Sequence, residues 1–177
     1  KLGKQLYRVC TAASEIESVQ WVVRSAERGK TPEGISLVNE VNVLHPADLY
    51  LLAVTDEVIS KVAGTLPEEA FVVHTAGGVA LEVLNQNRAG VFYPLQTFSE
   101  GRNIDFSKLP IGLESKDASD LPLLEQLVQA LGARSFHMNS KQREHLHLAA
   151  VLVNNFTNHL FAEAASICSQ NYLPFEL

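Results

Sequence analysis

Only two cysteines, Cys10 and Cys168, occur in the chain, far apart and in no metal-spaced set. Free thiols in a reducing compartment are expected rather than a disulfide, and no metal site is expected. No apolar run approaches the roughly 20 residues of a membrane span. No signal-peptide pattern stands at the start. Basic residues are also scarce: 14 Lys and Arg against 20 Asp and Glu give a net charge of −6. A phosphate backbone demands a basic face, so nucleic acid is excluded as an electrostatic partner, and the expectation is a cytoplasmic chain without membrane contact. Repeats and low-complexity tracts are missing too.

What is present is alternation. With 46% hydrophobic residues, the 177 positions can bury one good core. Runs of β type fall at Ser18–Val23, Leu49–Val54, Ala70–His74, Gly90–Leu95, Ile111–Glu114 and Ala133–Met138. Leu49–Val54 is almost wholly apolar, as a strand buried on both faces should be. Helical stretches intervene at Glu57–Gly64, with Asp56 as N-cap, near Ala80–Asn85, and at Ser119–Leu131, where Gly132 stops the helix. Gly29–Gly34 reads as a loop. The pattern predicts an α/β fold: a doubly wound, mostly parallel sheet followed by the start of an all-helical domain.

Ligands of such a sheet bind beyond the carboxyl ends of its strands. Arg24-Ser25 stands where a 2′-phosphate of NADP would be gripped, or where an arginine is merely solvated at a strand end. Val54-Thr55-Asp56 combines small side chains with a helix start, which suits close approach by a cofactor. His74-Thr75-Ala76-Gly77 offers open backbone amides beside a hydroxyl, although Gly77-Gly78 also suits a plain turn. Gln96-Thr97, at another strand end, is placed for substrate contact or for a turn.

The pattern lacks a G-x-G-x-x-G turn at its start. Lys1–Tyr7 reads as the inside of a helix, and Leu173–Leu177 ends abruptly. Either the fold is of another kind, or its first strand and turn lie outside this sequence, with both ends cut.

From Lys141 to Gln170 the chain reads as one long unbroken helix. At about 100° per residue, Asn154 and Asn158 each lie within about 20° of His147, among Val151, Phe161 and Ala165. Polar groups in an apolar stripe need hydrogen-bond partners. They bond within the protein or at an interface, or else they line a ligand cleft. His145 and His159 lie well off the stripe and belong to the surface or an interface.

Val73–Gly78, Gly90–Ser99, Ser140–Arg143 and His145–His159 together resemble a bacterial family of Rossmann-like NADP oxidoreductases. The layout is similar to pyrroline-5-carboxylate reductase, ketopantoate reductase and the deazaflavin-dependent NADP oxidoreductases. The similarity runs from about Leu2 to Leu177, with Tyr93–Ser99 and His147–His159 its most specific parts. It implies a dinucleotide-binding domain over residues 1–138 and the start of a helical dimerisation and substrate domain over 139–177. It also implies that Lys1–Tyr7 corresponds to the helix after a glycine-rich turn. Related β-hydroxyacid dehydrogenases carry a proton-donor lysine three or four residues before an asparagine. Here Ala150, Val151 and Leu152 hold those places, so that chemistry does not carry over.

The expected catalytic residues are therefore His147, a group that exchanges a proton near pH 7, with Asn154 and Asn158 orienting a substrate oxygen. The expected activity is hydride transfer between NADP(H) and a small carbonyl, imine or deazaflavin partner. The alternative is an NADP-binding sensor or assembly module without turnover. The apolar residues Val153, Phe156, Leu160 and Ile167 predict a homodimer joined through residues 141–177 and the helical segment expected after them.

Overall fold

A computed structural model describes residues 1–23, 29–30, 36–38, 41–99 and 101–176. In chain order, α1 (Leu2–Ala12) precedes three short strands: β1 (Trp21–Val22), β2 (Gly29–Lys30) and β3 (Ser36–Val38). Then come β4 (Tyr50–Leu52), α2 (Ile59–Ala63), β5 (Phe71–His74), β6 (Arg88–Pro94) and β7 (Pro110–Ser115). The chain continues through α3 (Leu121–Ala130), β8 (Arg134–His137), α4 (Ser140–Val151) and α5 (Thr157–Gln170).

Five strands form one sheet in the order β4-β5-β6-β7-β8. All its pairings are parallel except β6 with β7. Parallel neighbours require a crossover, whereas residues 95–109 return the chain without a crossing helix, so β7 runs back against β6. The small sheet β1-β3-β2 stands apart from it among the described residues. Between the two lies a groove of about 1640 Å³, lined by Leu6, Tyr7, Trp21, Leu49, Leu51 and, at one end, Val54 and Thr55.

The two-residue period of the strands sorts the core. Phe71, Val73, Phe92, Ile111 and Leu113 pack on one face with Leu6 of α1 and Leu124 and Val128 of α3. On the opposite face, Val72 and Ala89 meet Ile59 and Ala63 of α2, and Val91 and Tyr93 pack with Leu81 and Met138. The same alternation brings His74, Gly112 and Glu114 to this second face. Gly112 has no Cβ because one would lie 2.8 Å from the Met138 side chain.

Several expectations need correction. Within the expected loop Gly29–Gly34, Gly29-Lys30 is β2, paired antiparallel with β3, and positions 31–34 lie outside the described residues. Asp56 is not the N-cap of α2: it opens a 3₁₀ turn whose N-cap is Thr55, and the N-cap of α2 itself is Val58, neither with a side-chain capping bond. Gly132 ends α3 as expected, with φ +69°. The long helix is continuous from Ser140 to Gln170 but contains a π turn at Leu152–Phe156. Beyond that turn Phe161 is exposed and packs edge-on to Phe175, not into the core.

Candidate active site

A capping box fixes the start of α4. The Asn139 side chain accepts from Gln142 N–H at 2.9 Å, and Gln142 returns the contact to Asn139 N–H at 3.0 Å. Glu114 of β7 accepts from Ser140 N–H at 2.7 Å and forms an ion pair with Arg143. Arg143, 1% exposed, also donates to the Val79 carbonyl in the loop after β5. Leu81 N–H donates to Ser140 Oγ at 3.1 Å. These bonds pin the first turn of α4 to the second face of the sheet.

His147 lies one turn beyond Arg143 on the same side of the helix. Its Nδ1 is 3.0 Å from the Tyr93 hydroxyl of β6. The ring rests on the loop after β5, where a Cβ on Gly77 would lie 2.4 Å from Nδ1 and 2.9 Å from the Tyr93 ring. Further along, Asn154 in the π turn donates to Thr97 Oγ1 at 2.7 Å. Asn158 donates to Asn154 Oδ1 at 3.4 Å. The helix thus meets two strand-end loops, 75–79 and 95–99.

The carboxyl ends of β4 and β5 are level, with Leu52 paired to His74. Thr75 ties them together, its N–H and hydroxyl both donating to the Leu52 carbonyl, at 3.3 and 3.2 Å. Val54, Thr55 and Asp56 leave β4 exposed to solvent, and Thr75 and Ala76 are half-buried beside them. This makes a ledge of small side chains at adjacent parallel strand ends. Such a ledge admits close approach by a flat ligand.

Of the cofactor residues expected from sequence, Arg24 and Ser25 lie outside the described residues. His74 is fully buried. Its Nδ1 accepts from Ala76 N–H at 3.2 Å, so it shapes the loop and offers a ligand no surface of its own. Burial first, and then the Arg143 charge, pushes its pKa down to about 4. Gln96 is exposed, and its side chain accepts from Thr97 N–H at 2.9 Å. Sequence reasoning missed the roles of Tyr93, Glu114 and Arg143. The signal for Arg143 was its place four residues before His147. Tyr93 had a signal in its odd-numbered register with Val91 on an inward-facing strand.

Fold and strand-end ledge define a Rossmann-like α/β protein. A family model for a domain of unknown function, DUF2520, matches residues 109–177. A Bacteroides fragilis protein provisionally designated an NADP oxidoreductase is 33% identical, with a TM-score of 0.76 over 99% of this chain and 70% of that one. A Thermotoga maritima protein of known structure is 24% identical over 80% of this chain, which spans 56% of its length, with a TM-score of 0.64. Pyrroline carboxylate reductase from Plasmodium falciparum, solved with NADP bound, shares the fold at 11% identity and a TM-score of 0.68, over 99% of this chain and 68% of that one. No match to a curated protein was found. The chain belongs to the family of Rossmann-like NADP oxidoreductases represented by the Bacteroides protein.

Proposed function

We propose that this chain belongs to an NADP-dependent oxidoreductase acting on a small carbonyl, imine or deazaflavin partner. One observation carries the reading: His147, bonded to Tyr93, sits directly on Gly77 at the carboxyl end of β5. Val54, Thr55, Asp56 and Thr75–Gly77 hold the cofactor along the ledge, and Arg24 with Ser25 grips its 2′-phosphate. Residues 1–138 form the cofactor domain, and 139–177 begin the helical domain that covers it. The bound cofactor supplies or accepts the hydride.

The residues of this chain do the rest. His147 holds or moves a proton at the substrate heteroatom through Nε2, which has no partner among the described residues. Asn154 and Asn158 orient the substrate oxygen, with Gln96 and Thr97 forming the opposite wall. The protein acts as a cytoplasmic homodimer. Its contact includes the apolar face of Val153, Phe156, Leu160 and Ile167, where Val153 is 74% and Leu160 67% exposed.

The test is NADPH oxidation by the full-length protein against a panel of keto acids, imines and flavins. His147→Asn is expected to lower turnover about 10²–10⁴-fold with the melting temperature little changed. Intact turnover in that variant would remove His147 from the chemistry. A second reading, an NADP-binding sensor without turnover, is favoured by Ala150 and Val151 standing where related dehydrogenases have lysine. Tight NADPH binding with no oxidation across the panel would establish it.

A further inference from the structure

Tyr93 and His147 meet through Nδ1 at 3.0 Å, their rings edge-on with centroids 6.0 Å apart. One of the two groups must donate. Tyr93 as a residue is 7% exposed and packs with Leu81, Val91, Leu95 and Met138. Its hydroxyl has no second acceptor among the described residues. Were Nδ1 the donor, the phenol proton would be left without a partner, at a cost of about 1–3 kcal/mol. Burial also raises the Tyr93 pKa, which keeps the proton on the phenol. The hydroxyl therefore donates, Nδ1 accepts, and the single proton of the neutral imidazole stays on Nε2.

We propose that Tyr93 is a positioning residue that locks neutral His147 as its Nε2–H tautomer, so the site selects the oxidised partner, a carbonyl oxygen or imine nitrogen. This rests on the reading of His147 as the residue that faces substrate. An N–H at Nε2 donates a hydrogen bond to a lone pair on the oxidised partner and polarises the double bond toward attack. An alcohol or amine can also accept that bond, but it cannot give up its own proton to a nitrogen that already carries one, so its oxidation finds no base there. Gly77 keeps the pair seated, because its missing side chain is the space the imidazole edge occupies.

The experiment is ¹⁵N NMR of the full-length protein labelled at histidine, under mildly alkaline conditions, with the His147 signals assigned by their loss in His147→Asn. The expected result is an Nε2–H imidazole in the wild type and a mixture of tautomers in Tyr93→Phe. The same substitution should lower kcat for carbonyl or imine reduction about tenfold, the equivalent of one hydrogen bond, and leave KM for NADPH unchanged. An unchanged tautomer in Tyr93→Phe, or an Nδ1–H form in the wild type, would overturn the inference. If His147→Asn abolishes turnover in that case, the reading of His147 stands and only the role of Tyr93 falls. If His147→Asn turns over normally while the tautomer depends on Tyr93, the substrate selection falls with that reading.

Discussion

Gly77 and His147 are so close that no side chain fits between them: a Cβ on Gly77 would stand 2.4 Å from Nδ1 and 2.6 Å from Cγ. The imidazole cannot retreat freely, because Arg143 anchors α4 one turn away. Gly77→Ala is expected to cost about 1–3 kcal/mol, the usual penalty of overpacking. Thermal and urea unfolding would measure it. An alanine variant as stable as the wild type would mean that α4 moves aside at little cost.

Arg143 and Glu114 form a pair that is almost fully enclosed. Removing one partner strands the other, so Arg143→Met is expected to destabilise by about 3–5 kcal/mol. Adding Glu114→Gln neutralises the stranded carboxylate and keeps an acceptor for Ser140 N–H. The double variant should therefore be more stable than Arg143→Met alone. Urea titrations of the wild type, both single variants and the double variant form the cycle that decides this.

His74 links stability to acidity. Its pKa in the fold, about 4, lies below the usual 6.5, so between those values the unfolded chain binds a proton that the folded chain refuses. The contribution of this group is complete above pH 6.5 and falls as pH drops toward 4, by about 1.4 kcal/mol per pH unit. His74→Asn keeps an acceptor for Ala76 N–H and removes the titration. Its stability should show a shallower acid slope than the wild type over that window. Parallel slopes would place the proton uptake elsewhere.

Phe156 and Leu160 project from the long helix, 57% and 67% exposed. If they join two copies, Phe156→Asp with Leu160→Asp should convert the full-length protein from dimer to monomer. Light scattering at micromolar concentration reads this directly. A wild type that is already monomeric would remove the interface.

The sheet was legible because Phe71–Val73 and Gly90–Pro94 are short runs rich in β-branched and aromatic residues. The strand pair beyond Val23 was not. Gly29-Lys30 and Ser36–Val38 are too short and too mixed to show a period, and β3 pairs with both β1 and β2. Spacing alone grouped His147, Asn154 and Asn158 on one stripe, but the π turn at Leu152–Phe156 shifts Asn158 out of the phase an unbroken α-helix would give it. The partners of the stripe were not legible, since Tyr93, Thr97 and Gly77 come from loops and strands distant in sequence. The π turn was also invisible, because no residue type marks it. Asp56 misled because an acidic residue before a helix resembles a cap, whereas here the chain enters through a 3₁₀ turn.

That π turn has a consequence for how the helix varies. It amounts to one residue inserted into a regular α-helix, which offsets the two halves by about 100° of rotation. The sheet sets the phase of the first half through Glu114 and Arg143, while the second half is mostly exposed beyond the Asn154–Thr97 bond. Deleting one residue from Leu152–Phe156 would restore an even screw and swing the Leu160 and Ile167 side about a quarter turn around the axis. His147 would stay where it is. The helix works as two dials on one shaft: such a deletion leaves His147 on Gly77 but turns Asn158 together with the Leu160 side, so the surface offered to partners and one wall of the site are reset as a unit.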